Sequence, residues 1–214
     1  MSVRLALSVE GRTEKEFVDG LLSHHLQERA IEVTAIIVTT KMVEDGPNHT
    51  GGAVSLDRAS REVRRLLGSF DHVSTLYDFY GFRGRLAGEG VEALEERLGA
   101  SVGSPRFSPY VQRYEFEALL FARPDGPGQA FWHDVQGAIS EITARFGSPE
   151  DINDAPETAP SRRLDQLFLR HRGQGFRKAL DGPLLAMDIG LPAIRRSCPR
   201  FNAWLARLEA LAPA

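Results

Sequence analysis

The sequence of 214 residues predicts an α/β fold: a mostly parallel sheet flanked by helices, with a helical C-terminal extension. Three observations carry this. Strand-like apolar runs alternate with helix-spaced stretches as far as Phe121. Strands that alternate with helices are joined by right-handed crossovers, which makes the sheet mostly parallel. Beyond residue 125 only helical spacing appears, which divides the chain into a core, 1–125, and an extension, 126–214, packed on it as one structural unit.

The first strand is expected over 3–9, with Leu5, Leu7 and Val9, and it ends at Glu10. Gly11 permits a tight turn, and Thr13 is the expected cap of a helix over 13–29 that carries Phe17, Val18, Leu21, Leu22 and Leu26 on one face. Val33 to Thr39 reads as a buried strand, followed by a polar loop from Lys41 to Ala53 that holds His49, Gly51 and Gly52. A helix over 55–68 follows, with Leu56, Ala59, Val63, Leu66 and Leu67 aligned. His72 to Phe79 reads as the third strand, with Asp78 at its end. A helix over 90–99, an extended stretch over 106–113 and a helical turn from Glu115 to Phe121 complete the core. The extension reads as helices over 128–146, 161–171, 175–180, 191–197 and 199–211, the second capped by Ser161. Ser148 to Pro160, rich in Pro, Asp and Asn, reads as a structured loop.

Composition narrows the function classes. A lone Cys198 excludes an internal disulfide or a cysteine zinc cluster, and its apolar setting suggests a buried, inert thiol. No apolar run is long enough to span a membrane, and the polar start does not resemble a leader, so a cytoplasmic protein is expected. The net charge of −3 argues against a generic nucleic-acid coat, but the charge is uneven. Pro160 to Arg200 carries nine basic and three acidic residues, a local net charge of +6. Arg61, Arg65, Arg83, Arg162 and Arg163 are the candidate contacts to a phosphate backbone; solvated helix faces with local pairing are the alternative.

The chemistry-bearing residues are acids. Glu10 sits at the C-terminal end of a strand, where α/β sheets place their sites, and Glu14 follows one helical turn later. Asp78 ends the third strand, so parallel pairing of the first and third strands would bring Glu10 and Asp78 to one edge. Clustered carboxylates suit Mg²⁺ or Mn²⁺. Glu115 and Glu117, two residues apart, point together only in extended chain; at a strand-to-helix junction one reaches the sheet edge while the other caps, with Glu115 preferred for the site. Each acid also has a bland reading, as a helix-dipole partner, a cap or a solvated residue. Histidines 24, 25 and 49 and the pair Gly51-Gly52 form no recognisable ligand, Walker or dinucleotide pattern.

The segment Val9-Glu10-Gly11-Arg12-Thr13-Glu14 resembles the first motif of Toprim domains, particularly those of overcoming-lysogenization-defect nucleases, and Asp78 resembles the first acid of their Asp-x-Asp motif. The whole chain from residue 9 resembles domain-of-unknown-function family 4276. The resemblance runs through Glu10 to Glu14, Gly51-Gly52, Tyr77 to Gly81, Tyr114 to Phe121, Pro149 to Asp154, Ala159 to Leu164 and Cys198 to Phe201.

This resemblance implies a Toprim-like core in which Glu10, Glu14 and Asp78 hold Mg²⁺ (or Mn²⁺), completed by Glu115 or Glu117, for phosphoryl transfer on nucleic acid. It also implies work beside an ATPase partner in bacterial defence against phage. The second acid of the Asp-x-Asp pattern falls on Tyr80, which cannot ligate magnesium as a carboxylate does. Two expectations follow: a metal-dependent nuclease or nuclease subunit, and a non-catalytic binding module that partners an ATPase.

Overall fold

The computed structural model describes residues 2–41, 49–50, 53–123, 130–153 and 155–213. Strand β1 (Val3–Val9) is buried from Leu5 to Val9 and pairs in parallel with β2 (Ile31–Ile37) on one side and β5 (His72–Asp78) on the other. Two short strands, β6 (Phe107–Ser108) and β7 (Val111–Gln112), continue the parallel sheet beyond β5, giving the order β2-β1-β5-β6 with β7 also on β5. Strands β3 (Thr39–Lys41) and β4 (His49–Thr50) form a separate antiparallel pair. Asp45 to Pro47, Gly51, Gly52 and Asp154 lie outside the described residues.

Alternation along β1 splits the core into two layers. Leu5, Leu7 and Val9 face one layer, and Ala6 faces the other. The second layer is built from α3 (Leu56–Leu66) and α4 (Val91–Val102), where Ser8 and Tyr77 share a buried hydroxyl hydrogen bond of 2.6 Å. The first layer holds α1 (Arg12–Phe17), which runs through a π-helical turn (Val18–Leu22) into α2 (Ser23–Gln27). Phe17, Val18, Leu22 and Leu26 are its buried face, as the spacing predicts. The cap differs from expectation: Gly11 occupies the N-cap and Thr13 lies buried inside the helix.

The C-terminal helices join that first layer. They are α5 (Ala130–Thr143), α6 (Pro160–Arg172), α7 (Lys178–Ile189), α8 (Leu191–Ser197) and α9 (Pro199–Glu209). From α9, Trp204 stacks on Tyr110 at 4.6 Å between centroids, and its indole N–H donates to Ser74 Oγ on β5 at 2.8 Å. One apolar cluster therefore runs from β1 to α9, and Cys198 is buried within it.

Two further features depart from the sequence reading. Helix α7 starts at Lys178 and continues to Ile189, across Asp181-Gly182-Pro183, which reads as a breaker. Burial of Leu185, Ala186 and Ile189 outweighs that local preference, and Gly182 lets α7 approach α1 so closely that a Cβ there would stand 3.0 Å from Thr13 Cγ2. Second, Ala159, not Ser161, is the N-cap of α6.

The Pro149–Asp151 turn gains a physical role. Glu150 is 1% exposed, and its carboxylate accepts the first-turn amides of α9, Arg200 at 2.8 Å and Phe201 at 3.1 Å. Replacing Glu150 by alanine strands both donors in the core and is expected to cost about 1–3 kcal/mol in urea unfolding. An unchanged unfolding midpoint would remove this capping role.

Candidate functional site

The parallel pairing of β1 with β5 puts the ends of both strands at one sheet edge, and the acids meet there. Asp78 donates its backbone N–H to Glu10 Oε2 at 3.2 Å, across the two strands. Asp78 Oδ1 accepts the amide of Phe116 at 2.7 Å, which ties the Glu115–Glu117 segment to β5. Glu14 is 7% exposed and its Oε2 takes the Gly11 amide at 2.9 Å, so it also serves the helix start.

Glu115 and Glu117 part company here. Glu115 Oε2 accepts the Ser161 amide at 2.9 Å, in the first turn of α6, so it works as that helix's cap from outside. Glu117, in the 3₁₀ turn Phe116–Phe121, is 2% exposed, and its Oε2 has no hydrogen-bond partner. The sequence preference for Glu115 thus meets an arrangement in which Glu117 lies deeper in the cluster.

A cation is also present that the motif reading did not single out. Lys178, the first residue of α7, places Nζ 3.2 Å from Glu117 Oε1 and 3.9 Å from Glu115 Oε1. It appears in the sequence only as one of nine basic residues: the helix expected over 175–180 carries it, but nothing local shows that this helix continues across Gly182 and Pro183 and packs on α1.

The electrostatics follow from burial and crowding. Desolvation raises the Glu10 carboxyl to about 7, with Glu14 and Glu117 adding to the rise and the Asp78 amide opposing it. Desolvation likewise lifts Glu117 to about 7 against the pull of Lys178. Glu14 is raised by burial, and Asp78 is pushed well above its ordinary range by burial and then by Glu14, Glu117, Glu10 and Glu115. Burial depresses the Lys178 ammonium, but Glu117, Glu115 and Asp78 outweigh it and hold its pKa above the usual lysine value.

The donor chemistry fits a hard divalent cation. Five carboxylates face one ammonium, and the partnerless Glu117 oxygen lies inside this negative cluster. The side chains as they stand do not close on an ion: among the described residues no three acidic, histidine or cysteine groups are arranged to hold a metal. Backbone amides occupy one oxygen each of Glu10, Glu14, Asp78 and Glu115.

The arginines divide by position. Chain direction carries α3 away from the acid edge, from the Val54–Arg83 backbone contact of 2.7 Å down toward the start of β5. Arg61 bonds the Asp57 carbonyl, and Arg65 pairs with Glu62 at 2.8 Å, so both lie along that retreating helix. Arg83 sits at the acid edge. Arg162 and Arg163 follow Ser161, whose amide Glu115 caps; Arg162 is exposed, and Arg163 donates to the Thr158 carbonyl. Tyr80, in place of a second acid, has its hydroxyl bonded by the Asn153 amide.

Among the described residues no helix is long and apolar enough to cross a membrane. No curated protein matches the chain. A family model does, over residues 9–209, so the chain belongs to the family described as domain of unknown function DUF4276.

Proposed function

We propose that this protein is a metal-dependent, Toprim-like phosphodiesterase, a nuclease or nuclease subunit that works in the cytoplasm beside an ATPase in defence against phage. The observation that carries the reading is the gathering of Glu10, Glu14, Asp78, Glu115 and Glu117 at one sheet edge around Lys178. Five crowded acids, Glu14 and Glu117 of them buried, stand against one ammonium, so a divalent cation would relieve the repulsion that their ionisation brings.

Glu10, Glu14, Asp78 and Glu117 would hold Mg²⁺ or Mn²⁺, with Glu115 next to them. Bound there, the metal supplies Lewis acidity toward a phosphoryl oxygen and toward water. The chain's own residues supply the rest. Glu115, beside the ligands, would accept a proton from the attacking water. Lys178 offers a fixed positive charge to the phosphate. Arg83, Arg162 and Arg163 offer the flanking positive charge toward the strand.

The test is a calorimetric titration of Mg²⁺ and Mn²⁺ into the purified protein, with a plasmid-nicking and RNA-cleavage assay on the same sample. Saturable binding with metal-dependent cleavage is expected. Binding without cleavage of either nucleic acid points to the second reading.

That second reading is a binding module for the ATPase, and one feature favours it. Helix α7 exposes Leu180, Leu184 and Met187 at 51%, 55% and 44%, spaced to lie along one face. Such a stripe suits an apolar partner surface and requires none of the acids.

A further inference from the structure

We infer that the rim beside the carboxylates is a stacking platform for unpaired nucleobases, so that the substrate strand is single-stranded, or locally opened, where it meets the site. This rests on the nucleic-acid reading above and names the form of nucleic acid.

Three aromatic residues bracket the acids. Phe79 and Tyr80 follow Asp78 directly, and Tyr114 immediately precedes Glu115. All three residues are half-buried; Phe79 packs against the second core layer, so Tyr80 and Tyr114 are the rings offered to a base. Tyr80 and Tyr114 have centroids 5.6 Å apart, and their backbones are joined by a hydrogen bond of 2.8 Å from the Tyr80 amide to the Tyr114 carbonyl. Tyr114 has φ of 65°, a left-handed conformation that costs a non-glycine residue roughly 1–2 kcal/mol. The fold spends that strain on holding this ring next to Glu115.

The loop after Asp78 adds cations. The Arg85 guanidinium lies 4.2 Å from the centroid of Phe79, face-on to the ring. Arg83 is exposed and makes no ion pair among the described residues. Gly81, Gly84 and Gly88 have φ of 78°, 77° and 74°, and a Cβ at any of them would meet open space. Backbone shape, not packing, therefore requires these glycines, in a loop that carries two aromatic residues, Phe79 and Tyr80, followed by two arginines, Arg83 and Arg85.

Duplex bases are already stacked on one another and cannot lie on protein rings. An unpaired strand can, and each base stacked on an aromatic side chain contributes about 1–3 kcal/mol. A merely basic rim favours the duplex, whose charge density is higher, so a preference for the unpaired strand has to come from its bases.

The experiment is fluorescence anisotropy in EDTA at low salt. The probes are an oligothymidylate of about 15 nucleotides, an abasic strand of equal length and a blunt duplex. The wild type is expected to bind oligothymidylate at least about tenfold more tightly than either other probe. Tyr114→Ala and Tyr80→Ala should each lose about five- to hundredfold for oligothymidylate and nothing for the abasic strand, while Tyr114→Phe and Tyr80→Phe retain the preference. Equal wild-type affinity for the base-bearing and abasic strands, or preference for the duplex, overturns the platform and leaves the nuclease reading standing. Binding to none of the three probes overturns both. Because the wild-type comparison decides alone, a variant that fails to fold does not rescue the inference.

Discussion

Glu10→Gln is expected to lower metal-dependent cleavage by about 10²–10³-fold while leaving the metal-free protein at least as stable as the wild type. Glutamine keeps an oxygen that can accept the Asp78 amide, so the bridge between β1 and β5 survives. What disappears is an anionic ligand and a group that titrates near 7. In the metal-free protein that same group is a charge buried beside Glu14 and Glu117, so its neutral isostere relieves repulsion. The two readouts therefore move apart: activity falls and thermal stability does not. Calorimetry with Mn²⁺ should show weaker binding in step with the lost cleavage. A Glu10→Gln protein that folds and cleaves at the wild-type rate would exclude Glu10 from the chemistry. One that loses activity together with its melting transition would show only a structural role.

The legible part of this molecule is the part governed by local rules. The end of β1 at Glu10 and of β5 at Asp78 can be read from short apolar runs that stop at an acid, and parallel pairing then brings the two ends together. The burial of Phe17, Val18, Leu22 and Leu26 follows from helical spacing in the same way. What the sequence hides depends on contacts between distant segments. Lys178 enters the cluster because α7 packs on α1 through Gly182 and Thr13, although Gly182 and Pro183 both argue locally for a turn. The separation of Glu115 from Glu117 depends on α6 offering its Ser161 amide to one of them. Composition around Pro149 to Asp154 marks a loop, but the reason for Glu150 lies fifty residues onward, at the start of α9. Strand ends and spacing mark the acids; only the fold supplies their counter-charge.

Stability of the metal-free protein is expected to fall as pH rises from about 5 to 7.5, and Mg²⁺ or Mn²⁺ should reverse the fall. Glu10 and Glu117 stand at about 7 in the folded chain against an ordinary value of 4.5. Between those limits the folded state holds more protons than the unfolded state, so the slope of unfolding free energy against pH is negative. The favourable contribution is complete below the ordinary carboxylate range and is lost as pH passes through the raised values. Each group alone accounts for about 3 kcal/mol at most, and together they account for less than twice that, because each raises the other. A divalent cation replaces the missing protons at neutral pH: at a hundred times its Kd it adds about 2.7 kcal/mol. Its stabilisation should be larger at pH 7.5 than at pH 5.5, where protons already neutralise the cluster. Glu117→Gln isolates the local effect from every other titrating group. It removes the acid whose Oε2 has no partner, so both the pH slope and the metal-induced rise in Tm should shrink relative to the wild type. A wild-type Tm that climbs steadily from pH 5 to 7.5, with the same metal increment at both ends, would mean that these carboxylates are charged and compensated without a cation.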